Sequence, residues 1–118
     1  MSDEFIVVAT QEIRDDVLGM SNIMNSCQND INVYDVAAEL KKHTHKIKGL
    51  SPMMDKEDLG NLSASLDLML KKIVEGNKIE GVFDILTKSL PAMNLSLDNS
   101  PNDQDLITSH IKDILSKL

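Results

Sequence analysis

Two histidines stand close together in the run Lys41-Lys42-His43-Thr44-His45-Lys46-Ile47-Lys48-Gly49, which holds four lysines and no acid. A neutral imidazole is a nucleophile that titrates near neutrality, and neighbouring ammonium groups offset charge on incoming phosphoryl oxygens. The candidate chemistry is therefore attack by a histidine on an anionic electrophile. Helical spacing separates the two rings. If residues 32–51 form a helix, Val33, Ala37, Leu40, Thr44, Ile47 and Ser51 fall within about 80° of one another at about 100° per residue, giving a buried stripe. His45 lies about 130° from the centre of that stripe, with Lys41 one turn before it and Lys48 one turn after. His43 sits at the stripe's edge beside Val36, Leu40, Ile47 and Leu50 and reads as a partly buried structural residue. The rings point about 200° apart, so they cannot chelate one metal from a regular helix, and no H-E-x-x-H pattern accompanies them. Gly49, one turn after His45, brings no side chain to crowd the ring, although an interior glycine costs a helix about 0.5–1 kcal/mol. It also begins the approach to Pro52, where the helix should end.

The elements that must position this run are helices. Ile6, Ile13, Val17, Met20, Met24 and Cys27 recur at helical intervals, so a first helix covers about 3–27, capped by Ser2, with Asp3 and Glu4 at the positive end of its dipole. Gln28 to Asn32 is turn-rich, and Asn32 is the expected cap of the second helix. After Pro52, Met53 and Met54, Asp55 is expected to cap a third helix over about 56–75 with Leu59, Leu62, Leu66, Met69, Leu70 and Ile73 inward. Lys56, Gly60, Ser63, Ala64, Asp67 and Lys71 form a polar strip on its flank, and an antiparallel partner would bring Asp67 alongside His45. A fourth helix spans about 80–97 on Val82, Phe83, Leu86, Leu90, Met93 and Leu97, kinked or cut short by Pro91. Ser100, Pro101 and Asp103 read as the start of a last helix carrying Leu106, Ile107, Ile111, Ile114, Leu115 and Leu118. His110 on that helix reads as packing or solvated. The fold class is all-α: an antiparallel up-and-down four-helix bundle with a fifth, C-terminal helix packed alongside.

His45-Lys46-Ile47-Lys48-Gly49 matches the H-x-x-K-G core of histidine phosphotransfer (HPt) domains, and the whole chain resembles the amino-terminal phosphotransfer domain of chemotaxis histidine kinases. The resemblance implies one HPt domain over residues 1–118 and favours the first domain of a longer kinase over a free-standing relay protein. It implies that His45 accepts a phosphoryl group from an ATP-binding kinase catalytic domain and donates it to an aspartate of a response-regulator receiver domain, in two-component chemotaxis signalling. Asp67 falls where the family usually carries a glutamate that holds the histidine's Nδ1 proton. Being a methylene shorter, it is expected to reach the ring through water. Lys48 and Lys41 would offset charge on the transferring group. Ala64 stands where the family often has a second histidine, and Pro52 replaces a glycine-rich turn. The domain supplies the acceptor only; ATP and magnesium belong to the partner kinase domain.

Composition bounds the alternatives. A chain of 118 residues with 42% hydrophobic content fits one domain able to bury a core. Its net charge of −7 argues against nucleic acid as partner. No apolar run approaches membrane-spanning length, the acidic Met-Ser-Asp-Glu start is no secretory signal, and the single Cys27 suits a reducing cytoplasm. The closing Ser116-Lys117-Leu118 spells a peroxisomal address, read here as a coincidence at a helix end. The domain is expected to be cytoplasmic and monomeric, without intrinsic cofactor or metal. Lacking a glycine-rich phosphate loop or a GxSxG elbow, it holds no kinase activity of its own. The rival reading is a helical interaction module that binds an acidic partner through the Lys41–Lys48 face and is never phosphorylated.

Overall fold

The computed structural model describes residues 2–118 as helices joined by short turns, with no strand among them. The elements are α1 (Asp3–Met24), α2 (Asp30–Leu50), a 3-10 turn (Pro52–Met54), α3 (Glu57–Val74), α4 (Val82–Leu97) and α5 (Gln104–Leu115). Thr44 meets Asp67 while Ser51 and Pro52 lie against Gly60, so α2 and α3 run antiparallel. Asp16 meets Lys46 while Gly19 lies against His43, so α1 and α2 are antiparallel as well, and the Arg14–Asp98 ion pair ties α1 to the end of α4. α5 packs on both α3 and α4, which touch each other little directly. The all-α bundle with an appended fifth helix is therefore the observed architecture.

The buried stripe of α2 is as expected: Val33, Ala37, Leu40, Thr44, Ile47 and Ser51 are all essentially inaccessible. So are all six inward residues of α3, and the core continues through Ile13, Val17 and Met20 of α1 and Leu86 and Met93 of α4. Burying side chains of this kind gains about 1.5–3 kcal/mol each, which is what fixes the face that α2 turns outward. Several expectations fail at the edges of the helices. Ile6, Leu106 and Leu118 are exposed rather than inward, because they lie on end turns with no neighbouring helix over them. Met54 is buried at the bend, whereas Met53 is exposed.

The caps also differ from expectation. α1 starts on Ser2, whose Oγ accepts from the Phe5 N–H at 3.1 Å, but it ends at Met24, short of Cys27. α2 begins earlier than residue 32: Asn29 is the cap, its Oδ1 accepting from Asn32 N–H at 3.0 Å, and Asn32 Oδ1 in turn accepts from Gln28 N–H at 2.9 Å. Two asparagines three residues apart share the helix start, one accepting from inside the first turn and the other from the residue before it, which is why either reads as plausible. Asp55 does not cap α3. It takes the left-handed conformation (φ 58°) that lets the chain turn after Met54, and α3 follows Lys56 without a side-chain cap. Pro91 does not end α4, which continues to Leu97. Its start is at Val82, not Glu80, and the cap comes from elsewhere: the Asp30 carboxylate on α2 accepts from Gly81 N–H at 2.9 Å and Phe83 N–H at 2.8 Å. Ser100 and Pro101 precede α5 without joining it; Asn102 Oδ1 accepts from Gln104 N–H at 2.9 Å instead.

Candidate functional site around His45

The face of α2 that carries His45 is set by the burial of Thr44 and Ile47 on the opposite side. With those two residues held in the core, the helical repeat turns Lys41, His45 and Lys48 outward along one line at i, i+4 and i+7. The His45 side chain is 70% exposed. Beneath it, α3 contributes Asp67, whose side chain is only 9% exposed and which is the single carboxylate paired with this line.

Asp67 is the hub of the site. Its Oδ1 accepts from the Thr44 hydroxyl at 3.1 Å and stands 3.6 Å from Lys41 Nζ; its Oδ2 stands 3.8 Å from His45 Nδ1 and 3.9 Å from Lys48 Nζ. Only the Thr44 contact is a hydrogen bond by length. The other three are charge contacts that arrange two ammonium groups and an imidazole around one buried anion. Such partly exposed pairs add little to stability, so their consequence is positional. They hold two cations on either side of a solvent-facing ring.

Thr44 was legible only as a core residue. Its hydroxyl also lies 3.1 Å from the Lys41 carbonyl, so one proton is shared between that carbonyl and Asp67. This fixes Oδ1 and leaves Oδ2 directed at the ring. A shallow depression of about 310 Å³, lined by Ala38, Lys41, Lys42 and His45, opens beside the imidazole. On the other flank a Cβ placed on Gly49 would meet nothing within 4 Å. The room at Gly49 is therefore not required by the His45 ring itself, and it lies open to whatever approaches the ring from outside.

Lys46 and His43 do not belong to this site. Lys46 Nζ lies 3.1 Å from Asp16 Oδ1 on α1, and His43 Nδ1 lies 2.8 Å from the same oxygen. Three lysines of the run are thus divided by the helix between two buried carboxylates, Lys41 and Lys48 toward Asp67 and Lys46 toward Asp16. His43 is partly buried as expected; its hydrogen-bond partner is Asp16, and its ring lies beside Gly19. Asp16 itself was missed, although it falls among Ile13, Val17 and Met20 on the inward side of α1. No group of three or more His, Cys, Asp or Glu residues is placed to hold a metal ion among the described residues. No described helix is long and apolar enough to cross a membrane. No protein-family model matches the chain, and neither does any curated protein or solved structure.

Proposed function

We propose that this chain is a phosphotransfer domain in which His45 accepts a phosphoryl group from the ATP-bound catalytic domain of a histidine kinase and passes it to an aspartate of a receiver domain. The observation that carries the reading is the exposed His45 ring above a buried Asp67, with Lys41 and Lys48 gathered on either side. Transfer of a phosphoryl group depends chiefly on positioning and charge compensation. The ring offers a nitrogen lone pair, and the two ammonium groups face the negative charge that builds on the phosphoryl oxygens.

The tautomer matters. A carboxylate oxygen can only accept, so Asp67 favours the ring with its proton on Nδ1 and the lone pair on Nε2. At 3.8 Å the contact is about 1 Å longer than a hydrogen bond, and such contacts in unliganded sites commonly tighten in the reacting complex. Nε2 attacks phosphorus, the bond to the leaving nucleotide oxygen breaks, and the Nδ1 proton stays between ring and Asp67. In the second step the receiver carboxylate attacks, the N–P bond breaks and its electron pair returns to the imidazole. ATP and magnesium are the kinase domain's contribution.

The test is phosphoryl uptake from radiolabelled ATP with a chemotaxis-type kinase catalytic core, comparing the intact chain with His45→Gln and His43→Gln. Acid-labile, base-stable label that disappears with His45→Gln alone is the expected result. Absence of label on the intact chain, with a kinase active on another acceptor, would favour an interaction module in place of a relay.

A further inference from the structure

The second histidine has the tighter carboxylate partner. His43 Nδ1 lies 2.8 Å from Asp16 Oδ1, a full hydrogen bond, whereas His45 stands 3.8 Å from Asp67. Asp16 is 2% exposed and its Oδ2 is buried with no partner, so the carboxylate's bonding is concentrated on Oδ1, which His43 and Lys46 share. Because the carboxylate accepts, the ring donates from Nδ1 and its lone pair lies on Nε2. Nε2 has no hydrogen-bond partner among the described residues, in a side chain that is 29% exposed, and with Cε1 it lies beside Gly19 of α1. The ring's edge rests on Gly19, where a Cβ would come within 2.6 Å of Cε1; α1 makes room for the imidazole by carrying no side chain there. A glycine, a buried acid and a lysine converge on this ring from two helices.

We propose that His43 is a second phosphoryl-acceptor site, loaded by small, high-energy phosphoryl donors of the phosphoramidate class and independent of the kinase-dependent reaction assigned to His45. The ring lies between α1 and α2, its side chain 29% exposed where that of His45 is 70% exposed, which favours a small donor over a protein one. In the reaction, the Nε2 lone pair forms the N–P bond, the donor's P–N bond breaks, and its electron pair leaves with ammonia, whose three hydrogens the donor nitrogen already carries. The Nδ1 proton remains on the ring, and the resulting phosphoimidazolium is offset by Asp16. Lys46 Nζ, 3.1 Å from Asp16 Oδ1 and 60% exposed, shares the carboxylate that holds the ring and keeps a mobile positive charge on the same helix face.

His110 provides the comparison within one molecule. It is exposed on α5 and has no side-chain hydrogen bond or ion pair among the described residues. The experiment treats the full chain with potassium phosphoramidate and maps phosphohistidine by mass spectrometry over time, in the unaltered protein, His45→Gln, His43→Gln and Asp16→Asn. The expected result is label on His43 in the His45→Gln chain, appearing at least about ten times faster than label on His110, since Asp16 holds the lone pair on Nε2 and offsets the charge of the phosphoimidazolium. Asp16→Asn, checked for folding by circular dichroism, should cut the His43 rate toward that of His110. Label reaching His110 as fast as His43, or a His43 that stays unlabelled while the other rings react, would overturn the proposal. Because no kinase is present, its failure leaves the role of His45 untouched, and a kinase experiment that fails leaves this site untouched.

Discussion

Asp67 Oδ2 stands 3.8 Å from His45 Nδ1, within the field of the ring but short of it. The distance has a direct consequence for the proton on the imidazole. A neutral ring without a fixed partner populates two tautomers, and a carboxylate at bonding distance selects one. Asp67→Glu adds one methylene to a side chain that already points at the ring, which closes the gap. The expected outcome is a shift of the His45 imidazole nitrogen resonances toward the Nδ1-protonated form, together with faster phosphoryl uptake. Unchanged ring resonances in a folded variant would show that Asp67 does not control the tautomer.

Thr44 holds the other oxygen of Asp67. Thr44→Val keeps the shape of a fully buried side chain and removes only the hydroxyl. Asp67 Oδ1 would retain just the 3.6 Å contact with Lys41, so a buried acceptor loses its hydrogen bond at a cost of about 1–3 kcal/mol. Urea unfolding should show this loss, and phosphoryl uptake at His45 should fall with it because Oδ2 is no longer oriented. A variant as stable and as reactive as the unaltered chain would remove Thr44 from the site.

How much of this could be read from the chain depends on whether the cause was local. The stripe of α2 and the outward line Lys41, His45, Lys48 follow from helical repeat alone, and the structure bears that placement out. The neighbouring α3 stripe was equally legible. Asp16 was not, because one acid in the Asp15-Asp16 pair of an acidic chain reads as solvated. The signal was present all the same: Asp16 lies on the apolar side of α1, and a half-buried His43 on the next helix needed a partner. Asp30 was beyond reach, since its bonds go to residues 51 and 53 positions away. Helix termini failed most often, at Asn32, Asp55 and Ser100, where several capping residues stand side by side and tertiary contacts choose among them.

Gly19 and His43 make a pair whose energetics should change sign. Replacing an interior helix glycine with alanine ordinarily gains about 0.5–1 kcal/mol. At Gly19 the new methyl would lie 2.6 Å from His43 Cε1 and 2.9 Å from Nε2, forcing the ring off Asp16. Loss of that buried bond costs about 1–3 kcal/mol, so Gly19→Ala is expected to be net destabilising. In a His43→Ala background the same change should stabilise, by about 0.5–1 kcal/mol. A double-mutant cycle by urea unfolding reads the difference; additive effects would mean the ring does not depend on Gly19.

Gly49 offers the opposite case. A methyl there meets nothing within 4 Å, so Gly49→Ala should raise stability by about 0.5–1 kcal/mol through helix propensity alone. If the open flank serves an approaching kinase or receiver domain, the more stable variant should transfer phosphate more slowly. A variant that is more stable and equally fast would assign Gly49 to the end of α2 and to nothing else.

Asp30 ties the start of α2 to the start of α4. Its two carboxylate oxygens accept from the backbone N–H groups of Gly81 and Phe83, which the first turn of α4 would otherwise leave without partners. Gly81, at φ 92°, gives α4 no side-chain cap of its own. Asp30→Ala leaves two partly buried donors unsatisfied and removes a negative charge from the positive end of a helix dipole, so a loss of about 2–4 kcal/mol is expected. Asp30→Asn can accept through its one amide oxygen only and should recover roughly half of that loss. The order of urea midpoints should therefore be Asp30, then Asn, then Ala. Phosphoryl uptake at His45 should be unaffected in each folded variant, because Asp30 lies at the far end of α2 from the ring. Equal midpoints for Asn and Asp would show that only one of the two bonds contributes.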